Sequence, residues 1–118
     1  MRKILIADAS EVWRELLEQT LSREYEVRSC ADGNQAMLLA EQFRPDVLIL
    51  DLLLAGIDGL TLIKRLRERE QAPRFIVIGR YFSNYITTAL ERYQVDSLIM
   101  KPCTTQCVAE HVAELLSQ

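Results

Sequence analysis

Three charged side chains in this sequence each stand directly after a short apolar run of the kind that forms a buried strand. They are Asp8 after residues 3–7, Asp51 after residues 47–50 and Lys101 after residues 97–100. In an open sheet of parallel strands the carboxyl ends of the strands share one edge, where such sheets present their chemistry. We therefore expect two carboxylates and one ammonium to meet at one edge of one sheet. No Cys or Ser nucleophile is paired with a base, so the expected chemistry rests on these charges.

The elements that would position these residues alternate along the chain. Five short runs rich in Val, Ile and Leu are each followed by a segment of helical length. The runs lie near residues 3–7, 25–29, 46–50, 74–79 and 97–100. This repetition predicts a parallel sheet that is covered by helices.

Apolar stripes and capping residues predict where the helices lie. Each helical segment carries apolar residues on one side, as a helix that covers a sheet should. In the first segment this stripe is formed by Val12, Leu16, Leu17 and Leu21. The candidate N-caps of the helices are Ser10, Asp32, Asp58 and Ser83.

The second strand differs from its neighbours. Residues 25–29 alternate polar and apolar side chains like a half-exposed edge strand, whereas the first and third strands are continuous apolar runs. This pattern favours an α/β fold, a doubly wound (βα)5 sandwich of flavodoxin-like type. Its parallel five-stranded sheet would have the order 2-1-3-4-5. Asp8 and Asp51 would then lie side by side where the strand order reverses.

Length and charge exclude several classes of protein. A chain of 118 residues has the size of one ordinary domain, so we predict a single domain over residues 1–118. The net charge of -3 and the lack of a Lys/Arg block argue against direct nucleic-acid binding. No apolar stretch approaches the roughly 18 residues of a membrane span, and Met1-Arg2-Lys3 leads into a strand rather than a signal peptide. We therefore expect a cytoplasmic protein whose three cysteines are free thiols.

The order of these features resembles the receiver domain of two-component response regulators. The resemblance covers the whole chain. It is carried by Asp51 after its apolar run, by the loop Ala55-Gly56-Ile57-Asp58-Gly59 and by the pair Lys101-Pro102 after the fifth strand.

The resemblance implies a role for each charged residue. In that family the aspartate after the third strand takes a phosphoryl group from a histidine kinase, and an acidic pair after the first strand holds Mg²⁺. A Thr or Ser after the fourth strand contacts the phosphoryl group, and the lysine forms a salt bridge to it. Carried over, Asp51 is the phosphoacceptor, Asp8 and Asp51 are metal ligands, and Lys101 contacts the phosphoryl group. Phosphoryl transfer gathers negative charge on three oxygens, which a metal, an ammonium and aimed donors offset.

Several positions depart from the family pattern. Ala9 stands where a second acidic residue is usual, so we expect Mg²⁺ binding to be weak, because one oxygen ligand is missing. Gly79 replaces the usual Thr or Ser, Leu98 replaces the usual aromatic switch residue, and Ala55 replaces the usual proline. We therefore expect phosphorylation of Asp51 to be impaired or atypical.

Arg80 follows Gly79 at the tip of the fourth strand and has two interpretations. Its guanidinium could pair bidentately with Asp51 or Asp8 and occupy the space of a metal or phosphoryl group. It would then be a pocket contact beside Lys101. The alternative is that Arg80 points to solvent.

Exposed aromatic residues predict a partner surface. Tyr81 and Tyr85, together with Leu98, would lie on the face of the fourth helix, fifth strand and fifth helix, which receivers use for partner contact or dimerisation. We expect at least one of Tyr81, Phe82 and Tyr85 to pack beneath the fourth helix instead. The expected partners are a histidine kinase or phosphotransfer protein and an output domain or partner protein, and the face would also suit a homodimer.

Cys103, Cys107 and His111 have a spacing that could hold a soft metal. The last helix is expected to pack through Val108 and Val112, which turns these three residues sideways, and no fourth ligand is evident. We therefore predict no metal site there.

Three functional interpretations remain. The first is a working receiver that is phosphorylated on Asp51, and the second is a phosphorylation-independent pseudo-receiver that keeps the fold and contact face. The third is a small doubly wound nucleotide-binding domain or enzyme. It ranks last because the first βα turn, residues 8–11, has no glycine to approach a phosphate. We predict a signalling domain that is not an enzyme.

Overall fold

Five parallel strands form one sheet in the order β2-β1-β3-β4-β5 in the computed structural model, which describes residues 1–118. The strands are β1 (Lys3–Ala7), β2 (Glu26–Cys30), β3 (Val47–Leu50), β4 (Arg74–Gly79) and β5 (Ser97–Met100). The helices are α1 (Glu11–Leu21), α2 (Gly33–Phe43), α3 (Gly59–Arg67), α4 (Asn84–Arg92) and α5 (Thr105–Leu116). The predicted fold class and strand order are confirmed. None of the five helices has the length and apolar character needed to cross a membrane.

The strand register fixes which residues meet at the carboxyl edge of the sheet. Ala7 of β1 pairs with Leu50 of β3, so the residues that follow them, Asp8 and Asp51, leave adjacent strands at the same level. Gly79 of β4 pairs with Met100 of β5, and Lys101 follows Met100. One edge of the sheet therefore carries both carboxylates and the ammonium.

The sheet is covered on both faces, as a parallel sheet must be. Successive residues of β1 alternate between the faces: Leu5 packs in one apolar cluster, and Ile4 and Ile6 pack in the other. The first cluster, here the α2/α3/α4 core, includes Ala36, Leu62, Phe75 and Leu90. The second, the α1/α5 core, includes Leu17, Ile49, Val108 and Val112.

All four predicted N-caps begin helices. Each accepts a hydrogen bond through its side-chain oxygen from the backbone N–H three residues later, which satisfies one of the free donors of the first turn. These caps are Ser10, Asp32, Asp58 and Ser83. Thr104 caps α5 in the same way and was not predicted.

The prediction of the buried stripe of α1 is right for two of its four residues and wrong for the other two. Leu17 and Leu21 are buried, but Val12 is 68% exposed and Leu16 is 46% exposed. Residues advance by about 100° around a helix, so Val12 and Leu16 lie well to the side of Leu17. Trp13, four residues before Leu17, takes the inward position and packs against the α1/α5 core.

Candidate functional site

The structure brings Asp8, Asp51 and Lys101 together in what we call the charged pocket. The Lys101 ammonium Nζ donates a hydrogen bond of 2.9 Å to Asp51 Oδ2. It also lies 3.3 Å from Asp8 Oδ2, within hydrogen-bond and ion-pair range. A single cation therefore bridges the carboxylates that follow β1 and β3.

Backbone donors hold the other carboxylate oxygens. Asp8 Oδ1 accepts the N–H of Ser10 at 2.9 Å, and Asp51 Oδ1 accepts the N–H of Leu53 at 2.9 Å. Asp8 is buried, with 5% of its surface exposed, and the side chains of Asp51 and Lys101 are exposed by 16% and 18%. Two carboxylates face one ammonium, so these three side chains together carry an excess of one negative charge.

The environment of Lys101 raises its pKa. Burial alone would lower the pKa of this ammonium, but the hydrogen bond to Asp51 and the charges of Asp8 and Asp51 outweigh that effect. Lys101 is therefore protonated at neutral pH and provides a fixed positive charge at the tip of the sheet.

Backbone hydrogen bonds tie the pocket to the neighbouring strands. The N–H of Asp51 donates to the carbonyl of Ala7 at 3.1 Å, and the N–H of Lys101 donates to the carbonyl of Gly79 at 2.8 Å. The Lys101–Pro102 peptide bond is cis. These contacts place the charged residues on the rigid sheet rather than on free loops.

Arg14 is a pocket neighbour that the sequence analysis missed. Its guanidinium donates a 2.7 Å hydrogen bond to the carbonyl of Asp8, so it supports the backbone of the turn that carries the first carboxylate. Arg14 is half-buried and is the first cation along α1. The short distance in sequence, with Arg14 one turn into the helix that follows Asp8, was the signal available.

Of the two interpretations of Arg80, the structure agrees with the one in which its side chain points to solvent. Arg80 is exposed, and the ion pairs of Asp8 and Asp51 are both made with Lys101. Arg80 is the first residue after β4, where the chain leaves the sheet, and its side chain extends into solvent. The pocket thus has one internal cation and not two.

Gly79 stands at the position where the family pattern has a Thr or Ser, and the ring of Phe82 lies beside it. Gly79 is buried, and a β-carbon built on it would lie 3.2 Å from Cζ of Phe82 and 3.3 Å from its Cε1. The ring of Phe82 therefore fills the space next to Gly79. Phe82 is half-buried against the α2/α3/α4 core, as expected for at least one of the three aromatic residues.

The other residues of the predicted partner surface are exposed. Tyr81 is 79% exposed and Tyr85 is 75% exposed, and Leu98 and Met100 of β5 are also open to solvent. Tyr81 lies in the loop before α4, Tyr85 lies on α4, and Leu98 and Met100 lie on β5. Exposed aromatic residues and methionine are enriched in protein contacts.

Of the three residues with metal-ligand spacing, Cys107 and His111 lie on α5, whereas Cys103 precedes the helix. Cys103 and Cys107 are half-buried against the α1/α5 core, and His111 Nδ1 lies 3.3 Å from Ser97 Oγ. Burial raises the pKa of the Cys103 thiol, and Cys107 adds to that effect. No three His, Cys, Asp or Glu side chains of the chain converge as metal ligands, there or in the charged pocket.

The charged pocket nevertheless has a minimal donor set for Mg²⁺. This ion is commonly held by one or two carboxylates, with water and substrate oxygens completing its shell. Asp8 and Asp51 supply two carboxylates, and exposed Ala9 supplies no ligand. The residues present therefore fit Mg²⁺ with few protein ligands.

Comparisons with known proteins agree with this fold. The family model described as "Response regulator receiver domain" matches residues 4–113. The chain is 32% identical over 113 residues to the positive alginate biosynthesis regulatory protein of Pseudomonas aeruginosa, covering 91% of this chain and 44% of that protein. It is 30% identical over 103 residues to the transcriptional regulatory protein AfsQ1 of Streptomyces coelicolor, covering 86% and 45%. The chain thus spans less than half the length of these curated relatives.

A solved structure supports the same assignment. The REC domain of AraT, a response regulator from Geobacillus stearothermophilus, is 36% identical, and its TM-score to this chain is 0.83. The alignment covers 97% of this chain and 92% of that one. This protein belongs to the response regulator receiver domain family, and it is a receiver domain of two-component signal transduction.

Membership of this family defines the general role of the chain. Receiver domains are signalling domains that generally bind Mg²⁺ at their phosphorylation site. They interact with histidine kinases or phosphotransfer proteins and with output domains. The predicted function at this level is confirmed.

Proposed function

We propose that Asp51 is the phosphoryl acceptor of this receiver and that Lys101 stabilises the acquired group. The observation that carries the proposal is the bridging of Asp51 and Asp8 by the Lys101 ammonium at the tips of β1, β3 and β5. In the transfer, an Asp51 carboxylate oxygen attacks phosphorus, the bond to the donor breaks, and the donor leaves with the bonding electron pair. The ammonium lies beside the oxygens on which negative charge accumulates.

The metal site is proposed to be weak. Asp8 and Asp51 would hold Mg²⁺, which would supply positive charge to offset the phosphoryl oxygens when bound. Ala9 adds no carboxylate, and Lys101 already engages one oxygen of each ligand. The affinity for Mg²⁺ and the rate of phosphorylation are therefore both expected to be low.

A pseudo-receiver is the second candidate function. It is favoured by the loss of the hydroxyl at Gly79, where Phe82 fills the space, and by the exposed aliphatic side chain of Leu98 in β5. In this case the domain would signal through its contact face without phosphorylation. Arg80 would be free to contact an incoming partner or phosphoryl group from outside the pocket. A small enzyme or nucleotide binder is disfavoured, since no nucleophile and base are paired.

The proposed partner face is formed by Tyr81, Tyr85 and Leu98. These exposed residues would contact an output domain, a partner protein or a second copy of the chain. A histidine kinase or phosphotransfer protein would donate the phosphoryl group. We propose that the chain acts in the cytoplasm as one domain over residues 1–118 and does not itself bind nucleic acid.

Incubation with acetyl phosphate and Mg²⁺, followed by intact-mass and peptide mass spectrometry, tests the acceptor. We expect a small modified fraction, located on Asp51, because the metal site lacks a ligand. The Asp51→Asn variant should show none. Stoichiometric modification of the native protein would contradict the weak metal site, and modification that persists in Asp51→Asn would contradict the acceptor.

Ala9→Asp separates the two candidate functions in the same experiment. The added carboxylate should increase the modified fraction and lower the Mg²⁺ concentration for half-maximal modification by about tenfold, a change that ligand partners commonly produce. Ala113→Asp, which adds the same charge on the exposed side of α5, is the control. If neither the native protein nor Ala9→Asp is modified, the pseudo-receiver becomes the better description.

A further inference from the structure

The backbone conformation at residue 79 does not require a glycine. It is the last residue of β4, and Gly56 is the glycine of this chain with a positive φ. The backbone at Gly79 is therefore one that any residue could adopt. What a side chain would meet there is the ring of Phe82.

The ring of Phe82 and Gly79 fit against each other. A β-carbon at residue 79 would approach two ring carbons to 3.2 and 3.3 Å. Carbon atoms in favourable contact stay about 3.5–4.0 Å apart, so even an alanine would press on the ring. A threonine, with two further atoms on the β-carbon, would need the ring to move.

Phe82 is also the apolar side chain that holds the loop between β4 and α4. In this loop, residues 80–83, Arg80 and Tyr81 are exposed, whereas Phe82 packs against the α2/α3/α4 core. Ser83 follows directly and caps α4 through the N–H of Ile86. The ring is therefore anchored one residue before the cap of α4.

This loop is linked to the charged pocket through Gly79. The Gly79 carbonyl accepts the N–H of Lys101 at 2.8 Å, so the residue beneath the ring is bonded to the residue that carries the ammonium. The proposed partner face includes Tyr81 of this loop and Tyr85 of α4. The contact between Gly79 and Phe82 therefore lies between the charged pocket and the proposed partner face.

We infer that Phe82 is a positioning residue whose ring replaces the side chain missing at Gly79 and holds the β4–α4 loop in one arrangement. The part of this inference that concerns signalling rests on the proposed function. No side chain at residue 79 can move toward a group on Asp51, and the loop stays in place through its ring contact. The partner face is thereby insulated from the chemical state of the pocket.

A double-mutant cycle tests the contact itself. Gly79→Thr and Phe82→Ala should each lower stability to urea, while threonine should be tolerated far better once the ring is gone. We expect the loss in the folding equilibrium constant caused by Gly79→Thr to be about tenfold smaller in the Phe82→Ala background. If Gly79→Thr fails to fold, Gly79→Ala serves in its place. Additive losses would overturn the inference.

Tyr81→Ala is the matched control for this cycle. Tyr81 is the adjacent aromatic residue of the same loop, but it is exposed. Its effect should add to that of Gly79→Thr without coupling. A coupling of the same size as that of Phe82 would show that the loop responds to any truncation, and the specific contact would be wrong.

The signalling part is tested by amide NMR with Mg²⁺ and beryllofluoride, a phosphoryl mimic. In the native protein, shifts should stay close to Asp8, Asp51 and Lys101. In the double variant Gly79→Thr/Phe82→Ala, they should extend to the amides of Tyr81 and Tyr85. Equal responses at these amides in both proteins would overturn the positioning role, even if Phe82 proved important for stability.

The two experiments also separate this inference from the proposed function. A complete lack of response to beryllofluoride in every protein would contradict Asp51 as a phosphoacceptor. The double-mutant cycle requires no ligand and would still decide whether Gly79 and Phe82 are coupled.

Discussion

One ammonium satisfies two carboxylates in this protein, and that sharing dominates the chemistry of the site. Lys101 lies between Asp51 and Asp8, and its pKa is raised despite partial burial. A metal ion or a phosphoryl group that enters the pocket must share oxygens with this cation or displace it. Lys101 therefore stabilises the folded protein and also competes for the carboxylates that would bind Mg²⁺.

Lys101→Met should destabilise the protein by about 2 kcal/mol, because it leaves two largely buried carboxylates without their cation. Lys64→Met is the control: Lys64 is exposed on α3, and its loss should change the free energy of unfolding by no more than about 0.5 kcal/mol. Urea denaturation at pH 7 measures both. Equal effects would contradict the role assigned to the bridge.

The difference in stability between the native protein and Lys101→Met should depend on pH, because the pKa of Lys101 is raised. A lysine whose pKa is raised in the folded state stabilises the fold. This stabilisation is fully present below the ordinary lysine pKa of about 10.4, and it is lost as the pH rises through the pKa of the folded state. The stability gap between the native protein and Lys101→Met should thus stay constant from neutral pH to about pH 9. It should close only at higher pH, and closure near neutrality would contradict the raised pKa.

Helix α1 shows how far an apolar pattern determines which face a helix buries. Its apolar residues span about half of the helix circumference, so more than one rotation would bury an apolar stripe. The structure selects the one that buries Leu17 and Leu21 and leaves Val12 and Leu16 exposed. That choice depends on packing against β-strands and α5, which lie far away in the sequence.

Neighbouring leucines in α1 should respond very differently to truncation. Leu17→Ala removes a fully buried side chain from the α1/α5 core and should cost about 2–5 kcal/mol. Leu16→Ala has the same effect on helix propensity but removes an exposed side chain, so we expect a change within about 0.5 kcal/mol. Chemical denaturation of the two variants measures the difference, and similar losses would show that α1 is rotated from the position described.

Side chains that directly follow strands could be placed from the sequence, whereas a loop side chain could not. Asp8, Asp51 and Lys101 could be placed from sequence because each directly follows a strand, and the strand order then fixes their proximity. Arg80 could not be placed, since no periodicity determines whether a loop side chain turns inward or outward. Phe82 was overlooked as a neighbour of Gly79 for the same reason: their contact depends on how residues 80–83 turn between β4 and α4.

The two apolar clusters of this protein share one sheet. The α1/α5 core and the α2/α3/α4 core are each built from alternate residues of the same strands. The radius of gyration is 12.8 Å, close to the roughly 13 Å typical of a single domain of this length. Because both clusters pack on the same strands, loss of the strands would expose both clusters to solvent.

Unfolding should therefore be one cooperative transition. Trp13 is the only tryptophan and packs against the α1/α5 core, so its fluorescence reports that face. Far-UV circular dichroism reports the helices on both faces. The two signals should give coincident urea curves, as expected for a two-state domain. Separate midpoints would contradict the prediction of a single domain over residues 1–118.

The bridge made by Lys101 also has a consequence for the order of events during synthesis. Its partners Asp8 and Asp51 precede it by 93 and 50 residues in the chain. Proteins are made from the amino terminus at about 5–20 residues per second, so both carboxylates exist for seconds before their cation is translated. A nascent chain that ends before β5 carries two like charges at adjacent strand tips and no ammonium to hold them together. The pocket is completed only when nearly all of the domain has left the ribosome.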